Sequence, residues 1–140
     1  MGGRIRYFSE GTAFRLEHPI RTSRWLRRVA EAENQWIFQL NYIFCSDRYL
    51  LRLNREYLRH DTLTDIITFP YHQPGNPVEG DIFISIHRVR ENSRRYGVPF
   101  TDELHRVMVH GLLHLLGYGD GTASEKRLMR DKETAYLSLR

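Results

Sequence analysis

The chain has a single cysteine, Cys45, so an intramolecular disulfide is impossible. The fold must rest on a packed core, and a reducing, cytoplasmic setting fits that usage. Lysine is nearly missing: Lys126 and Lys132 are the only two among 21 cationic residues, and the rest are arginine. Apolar runs are only a few residues long, too short to cross a bilayer, so no membrane partner is expected. The first residues, Met1-Gly-Gly-Arg-Ile-Arg6, lack the apolar block of a secretory leader. They also lack the Ser or Thr that N-myristoylation requires. No internal repeat, low-complexity tract or linker interrupts the chain.

What is present suits one compact unit. With 140 residues, 41% hydrophobic and 27% charged, residues 1–140 are expected to form a single domain. A chain of that size buries roughly two-thirds of its unfolded surface and needs no staples. The formal charge is +4, a mild excess that permits a nucleic-acid partner without requiring one. Arginine is the better fork for phosphate oxygens and stacks on bases. Codon bias in a GC-rich genome produces the same excess.

Local patterning predicts strands over Ile5–Phe8, Trp36–Cys45, Asp65–Phe69 and Asp81–Ile86. The last of these is apolar enough to be central. Helices are predicted over Arg21–Glu33, Asp47–Tyr57 with Asp47 as N-cap, and His87–Tyr96 closed by Gly97. A strongly apolar helix follows over Asp102–Leu116, capped by Thr101 or Asp102 and ended by Gly117. Thr122-Ala-Ser-Glu125 is a capping box that opens a final helix reaching about Leu137. Tyr71–Glu79, with Pro74-Gly75 and Pro77, reads as a loop. The expected class is α/β (α+β): a mixed sheet of about four strands flanked by four or five helices.

The informative segment is His110-Gly-Leu-Leu-His114-Leu-Leu-Gly117-Tyr-Gly-Asp120. Histidines four apart on a helix share one face, one turn apart, where both can ligate one ion. Gly117 lets the chain leave the helix with positive φ and turn back. Asp120 then offers a carboxylate from the returning chain. Two helical histidines, a glycine turn and a third ligand make a zincin-like, three-ligand site with an open position. A histidine pair on an apolar helix is also how hydrogen-bonded core histidines occur. Gly111 costs about 1 kcal/mol relative to alanine inside a helix, a cost tolerated where something, such as a substrate, must approach the backbone. Gly111 also stands where His-Glu-x-x-His peptidases carry their general base, which argues against peptidase chemistry of that type.

The run HGLLHLLGY (His110 to Tyr118), followed by Met129 and Glu133 in LMRDKE, resembles the YbeY family of bacterial metal-dependent endoribonucleases and rRNA maturation factors. So do GDIFIS (Gly80 to Ser85) and LNREYLRHDTLTDIITF (Leu53 to Phe69). The resemblance runs from about Leu40 to Leu137. It implies one divalent ion, zinc by preference, and single-stranded RNA as substrate rather than DNA. It also implies maturation of the 3′ end of small-subunit (16S) rRNA, a role in ribosome quality control, and the small subunit as partner. Two departures stand out. The family pattern continues Gly-Tyr-Asp-His, whereas here Gly119 and Asp120 follow Tyr118, so Asp120 occupies the place of the third histidine. A carboxylate there lowers the charge of the centre by one, so a water held by the ion would be a weaker acid. The family also has Arg directly after the aromatic at Tyr57, then Lys-Asp one residue on. Here that Arg position is Leu58, Arg59 follows it, and His60 replaces the Lys. Arg59 is the nearest guanidinium, and Arg59 with His60 is the expected catalytic pair.

Other residues have plainer roles. Thr64 and Asp65 fit the family segment, and they also fit a turn that launches the next strand. Met129 is expected beneath the metal helix, and Glu133 in a hydrogen bond or ion pair. His105 is expected to be structural, and His18, His72 and His87 lack ligand spacing. Arg21, Arg24, Arg27 and Arg28 form a stripe that fits an RNA or ribosome contact, or a solvated helix face. Arg88, Arg90, Arg94 and Arg95 form a similar set. Two other functional readings remain open from sequence. One is a ribosome-assembly RNA-binding factor with a structural metal, and the other is a different metal-dependent hydrolase.

Overall fold

The computed structural model describes residues 3–58 and 64–140. The elements run β1 (Arg4–Glu10), α1 (Pro19–Ala32), β2 (Ile37–Cys45), α2 (Asp47–Tyr57), β3 (Ile66–Pro70), β4 (Val78–Ser85), α3 (Ile86–Tyr96), α4 (Phe100–Leu115) and α5 (Ala123–Leu137). The strands form one sheet in the order β1-β2-β4-β3. β1, β2 and β4 are parallel, and β3 runs antiparallel to β4. This is the expected mixed α/β sheet with helices around it, and β4 is central as its apolar run predicts.

Side-chain alternation divides the core. Leu40, Tyr42 and Phe44 of β2 and Ile82 and Ile84 of β4 point to one face. There they meet Trp25, Leu26 and Val29 of α1, the apolar flank of α4, and Met129 and Tyr136 of α5. Burying each such side chain is worth about 1.5–3 kcal/mol. The opposite face carries Cys45 and Ile67, covered by Leu50 of α2. Cys45 is buried there, and burial pushes its thiol up to about 12. It has no ready thiolate.

Several boundaries differ from the sequence reading. The N-cap of α2 is Ser46, whose side chain accepts the Tyr49 N–H. Asp47 instead accepts the Ser85 hydroxyl at 2.6 Å and pairs with Arg88. Helix α4 starts at Phe100 behind Pro99, without a side-chain cap from Thr101 or Asp102. β4 begins at Val78, inside the expected loop, because Val78 is fully buried and its N–H reaches the Trp36 carbonyl. The capping box at Thr122 and Glu125 forms as expected.

Helix α4 lies across β3 and β4, and Gly111 sets how closely. A Cβ there would come within 2.9 Å of both Ile66 Cδ1 and Ile82 Cγ2. The close approach that this glycine permits is therefore to the sheet. The reading of Gly111 as a gap for substrate is corrected.

Two predictions follow from this packing. Gly111→Ala should destabilise the protein by about 1–2 kcal/mol in denaturant unfolding, because overpacking outweighs the helix-propensity gain. His105 stacks against Trp25 with ring centroids 5.3 Å apart, and Arg140 Nη1 donates to its Nδ1 at 3.0 Å. Burial, then the Arg140 charge, lower its pKa to about 4. A lowered folded-state pKa means the unfolded chain binds the proton first. The stability from neutral His105 should be intact above about pH 6.5 and lost as pH falls toward 4, on the order of 2 kcal/mol after solvent screening. His105→Phe should flatten that slope in urea titrations at pH 4 to 7.

Candidate metal centre

Helix α4 carries its chemistry on the flank beside its sheet-facing side, turned to the β3 edge and α5. Val109, Leu112 and Leu113 are fully buried. His110 and His114 turn toward a pocket and keep 21% and 25% of their side-chain surface exposed. Their rings stand nearly perpendicular, at 83°, with centroids 4.5 Å apart. The two Nε2 atoms are 3.0 Å apart.

The turn after α4 brings the third group. Gly117 adopts φ 111°. Its N–H reaches the His114 carbonyl at 3.0 Å, and the Tyr118 N–H reaches the Leu113 carbonyl at 3.0 Å. That pair of bonds is a Schellman motif, which reverses the chain at a helix end. Asp120 consequently comes back over the histidines. Its Oδ2 lies 3.4 Å from His110 Nε2 and 3.3 Å from His114 Nε2.

The outer nitrogens define the ring protons. His110 Nδ1 is 2.6 Å from Glu133 Oε2, and His114 Nδ1 is 2.9 Å from the Tyr118 carbonyl. A carboxylate and a carbonyl both accept, so each Nδ1 donates, and each Nε2 turns a lone pair inward. Two lone pairs at 3.0 Å require a positive charge between them. A proton bridges two atoms. Here three donor atoms of two histidines and a carboxylate gather at the corners of a near-equilateral triangle. A tetrahedral ion with bonds of about 2.0–2.1 Å keeps its ligands about 3.3 Å apart. The donor set therefore fits a divalent metal ion.

The pocket around this triangle holds about 440 Å³ and is lined by charge: Asp65, Glu103 and Glu133 beside Arg106 and Arg130. Glu133 is buried and also binds Arg106 Nη1 at 3.0 Å. Burial raises the Asp65 carboxyl above its ordinary range. Burial, then the Asp65 charge, do the same to Glu103. For His110, burial opposes protonation, but the Glu133 hydrogen bond and charge outweigh it and its pKa rises.

The sequence-predicted residues divide cleanly. His110, His114 and Asp120 converge. Glu133 supports His110 through the expected hydrogen bond, and Met129 is buried in the core shared with α4. Thr64 and Asp65 border the pocket. Arg59 and His60 lie outside the described residues. Arg21, Arg24 and Arg28 are exposed on α1, Arg27 is half-buried against the Gly3 carbonyl, and none of the four borders the metal pocket.

Sequence reasoning missed Glu33. This residue ends α1, and its carboxylate accepts the hydroxyls of Tyr118, at 2.6 Å, and Tyr136. Lys132 Nζ sits 3.1 Å away. Burial alone would raise its pKa, but these hydrogen bonds and the lysine charge lower it. The cluster clamps Tyr118, and Tyr118 holds His114. One local signal was present: an acid at a helix C-terminus opposes the helix dipole.

That clamp yields a prediction. Glu33→Gln and Tyr118→Phe should each weaken zinc binding about tenfold, as outer-sphere substitutions do. Competition with a chromophoric chelator would measure it. Unchanged affinity in both variants would show that the turn holds itself.

Comparison with known proteins gives the family. The family model described as Endoribonuclease YbeY matches residues 13–139. The Endoribonuclease YbeY of Cytophaga hutchinsonii is 52% identical over 136 residues, covering 97% of this chain and 95% of that protein. The one from Amoebophilus asiaticus is 47% identical over 133 residues, covering 95% and 90%. Among solved structures, TM1509 from Thermotoga maritima superposes with a TM-score of 0.71 at 28% identity, covering 97% of this chain and 88% of that one. The chain belongs to the YbeY family of endoribonucleases.

Proposed function

We propose that residues 1–140 act as one metal-dependent hydrolase domain that cuts single-stranded RNA. One observation carries this reading: the 3.0–3.4 Å triangle of His110, His114 and Asp120 at the wall of an open, charged pocket. The favoured ion is Zn2+, by the two imidazoles and one carboxylate. When bound, such an ion polarises a phosphate oxygen and lowers the pKa of a water.

The protein's own groups supply the rest. Glu133 and the Tyr118 carbonyl keep the lone pairs of His110 and His114 turned inward. Asp65, Glu103, Asp120 and Glu133 outnumber Arg106 and Arg130 around the pocket. A phosphodiester meets net repulsion there until a cation offsets it. Arg106 and Arg130 then draw the backbone in. Arg59, with His60, stabilises the added negative charge of the transition state. Attack is by water, so the products carry no 2′,3′-cyclic phosphate. The substrate is the 3′ end of small-subunit rRNA, and the setting is ribosome maturation and quality control at the small subunit in the cytoplasm.

The test compares three proteins for bound metal and for cleavage of single-stranded RNA. The wild type should hold metal and cut. His114→Ala should lose both. Arg59→Ala should keep metal and lose about a hundredfold in cleavage. Full metal and full cleavage in His114→Ala would refute the metallonuclease. Ribosome binding without any wild-type cleavage would favour an assembly factor with a structural metal. A cyclic phosphate at the product ends would replace water by the RNA 2′-hydroxyl as nucleophile.

A further inference from the structure

A large groove lies on the side of the sheet's β1 edge, away from the His110, His114 and Asp120 cluster. It holds about 1060 Å³ and runs between β1, the segment 12–16 and the start of α1. Four arginines line it, Arg6, Arg15, Arg24 and Arg27, and no aspartate or glutamate does. It shares no residue with the metal pocket. β1 is the edge strand opposite β3, with β2 and β4 between them. Adjacent strands are about 4.8 Å apart, so the two edges stand roughly 14 Å apart across the sheet.

No carboxylate in this groove balances its charge. Some cations elsewhere are paired: Arg88 with Asp47, Arg106 with Glu133, Lys132 with Glu33, Arg140 with Asp102. Among the described residues no carboxylate pairs with Arg6, Arg15 or Arg24. Arg27 is held by the Gly3 carbonyl at 2.8 Å, which fixes its guanidinium in the groove wall. Arg6, Arg15 and Arg24 are solvent-exposed. Phe14 is half-buried and lines the groove. Phe8 is 46% exposed, but strand alternation turns its ring, with the Arg6 side chain, to the sheet face opposite Tyr7 and α1.

We propose that this groove is a second RNA-binding surface, gripping the sugar–phosphate strand of the substrate at a distance from the cut. The inference rests on the nuclease reading above and extends it. Unpaired guanidiniums are complementary to phosphates, which they bind as forks. Phe14, half-buried at the groove, offers part of a ring for a base to stack on. An acidic protein would also be drawn by the charge, but it would gain nothing from that ring. The groove also narrows the sequence-predicted stripe. Arg24 and Arg27 belong to it, with Arg6 and Arg15 joining from other elements, while Arg21 and Arg28 do not line it.

The experiment uses the full chain loaded with zinc and a fluorescein-labelled, unstructured 20-nucleotide RNA. Stopped-flow anisotropy gives Kd at several salt concentrations, and steady-state cleavage gives KM and kcat. The Arg15→Gln/Arg24→Gln variant should bind at least tenfold more weakly. Its slope of log Kd against log salt should fall by about 1.4, two single-strand phosphate contacts. KM should rise while kcat and the thermal midpoint stay unchanged. Arg15→Lys/Arg24→Lys should restore most of the slope. If the wild type binds and cuts but the Gln variant matches it in Kd, KM and slope, the groove does not hold RNA and an acidic protein is its better occupant. If the wild type neither binds nor cuts RNA, the nuclease reading fails and this proposal with it.

Discussion

Two imidazole nitrogens face each other 3.0 Å apart with their lone pairs turned inward. That arrangement is unstable without a positive charge between them, and the surrounding structure is built to impose it. Glu133 fixes one ring from α5, and the Tyr118 carbonyl fixes the other from the turn. Each partner can only accept, so neither ring can turn its proton to the inside. The neighbouring Asp120 adds a third donor and a negative charge. The site therefore favours a cation on geometry and on electrostatics together.

Packing holds this geometry in place. Helix α4 must bury an apolar flank on the sheet while presenting two histidines just beside it, at the β3 edge. Gly111 permits the seat on Ile66 and Ile82, and a shift of the helix there would move both rings. The Schellman turn at Gly117 sets where Asp120 returns. Glu33 then ties Tyr118 to Lys132 and Tyr136 on α5. The placing of His114 and Asp120 thus depends on contacts between the end of α1 and α5 that lie outside the pocket.

The convergence of His110, His114 and Asp120 was legible in the sequence because its determinants are local. Helix periodicity places His110 above His114, and a glycine predicts the reversal to Asp120. The strands and helices were legible for the same reason, and so was the capping box. Glu33 was not, because its hydroxyl partners lie 85 and 103 residues away. The strand order was equally hidden, since pairing of β1 with β2 and of β2 with β4 is long-range. Gly111 shows a different limit. A missing Cβ says that something comes close, and only the packed sheet says what. Adjacent Ser46 and Asp47 both cap well, and the choice between them turned on Ser85 and Arg88, which draw Asp47 away. Arginine abundance was visible from composition, but which guanidiniums lack a carboxylate depends on the fold.

What occupies the His110, His114 and Asp120 triangle decides the chemistry of this site. X-ray absorption at the zinc edge on zinc-loaded protein reads this directly. It should show one ion per chain, with two imidazoles and a carboxylate oxygen at about 2.0–2.2 Å. A spectrum lacking imidazole scattering, or a protein that takes up no stoichiometric metal, would contradict it. In that case the positive charge between the two rings is a proton.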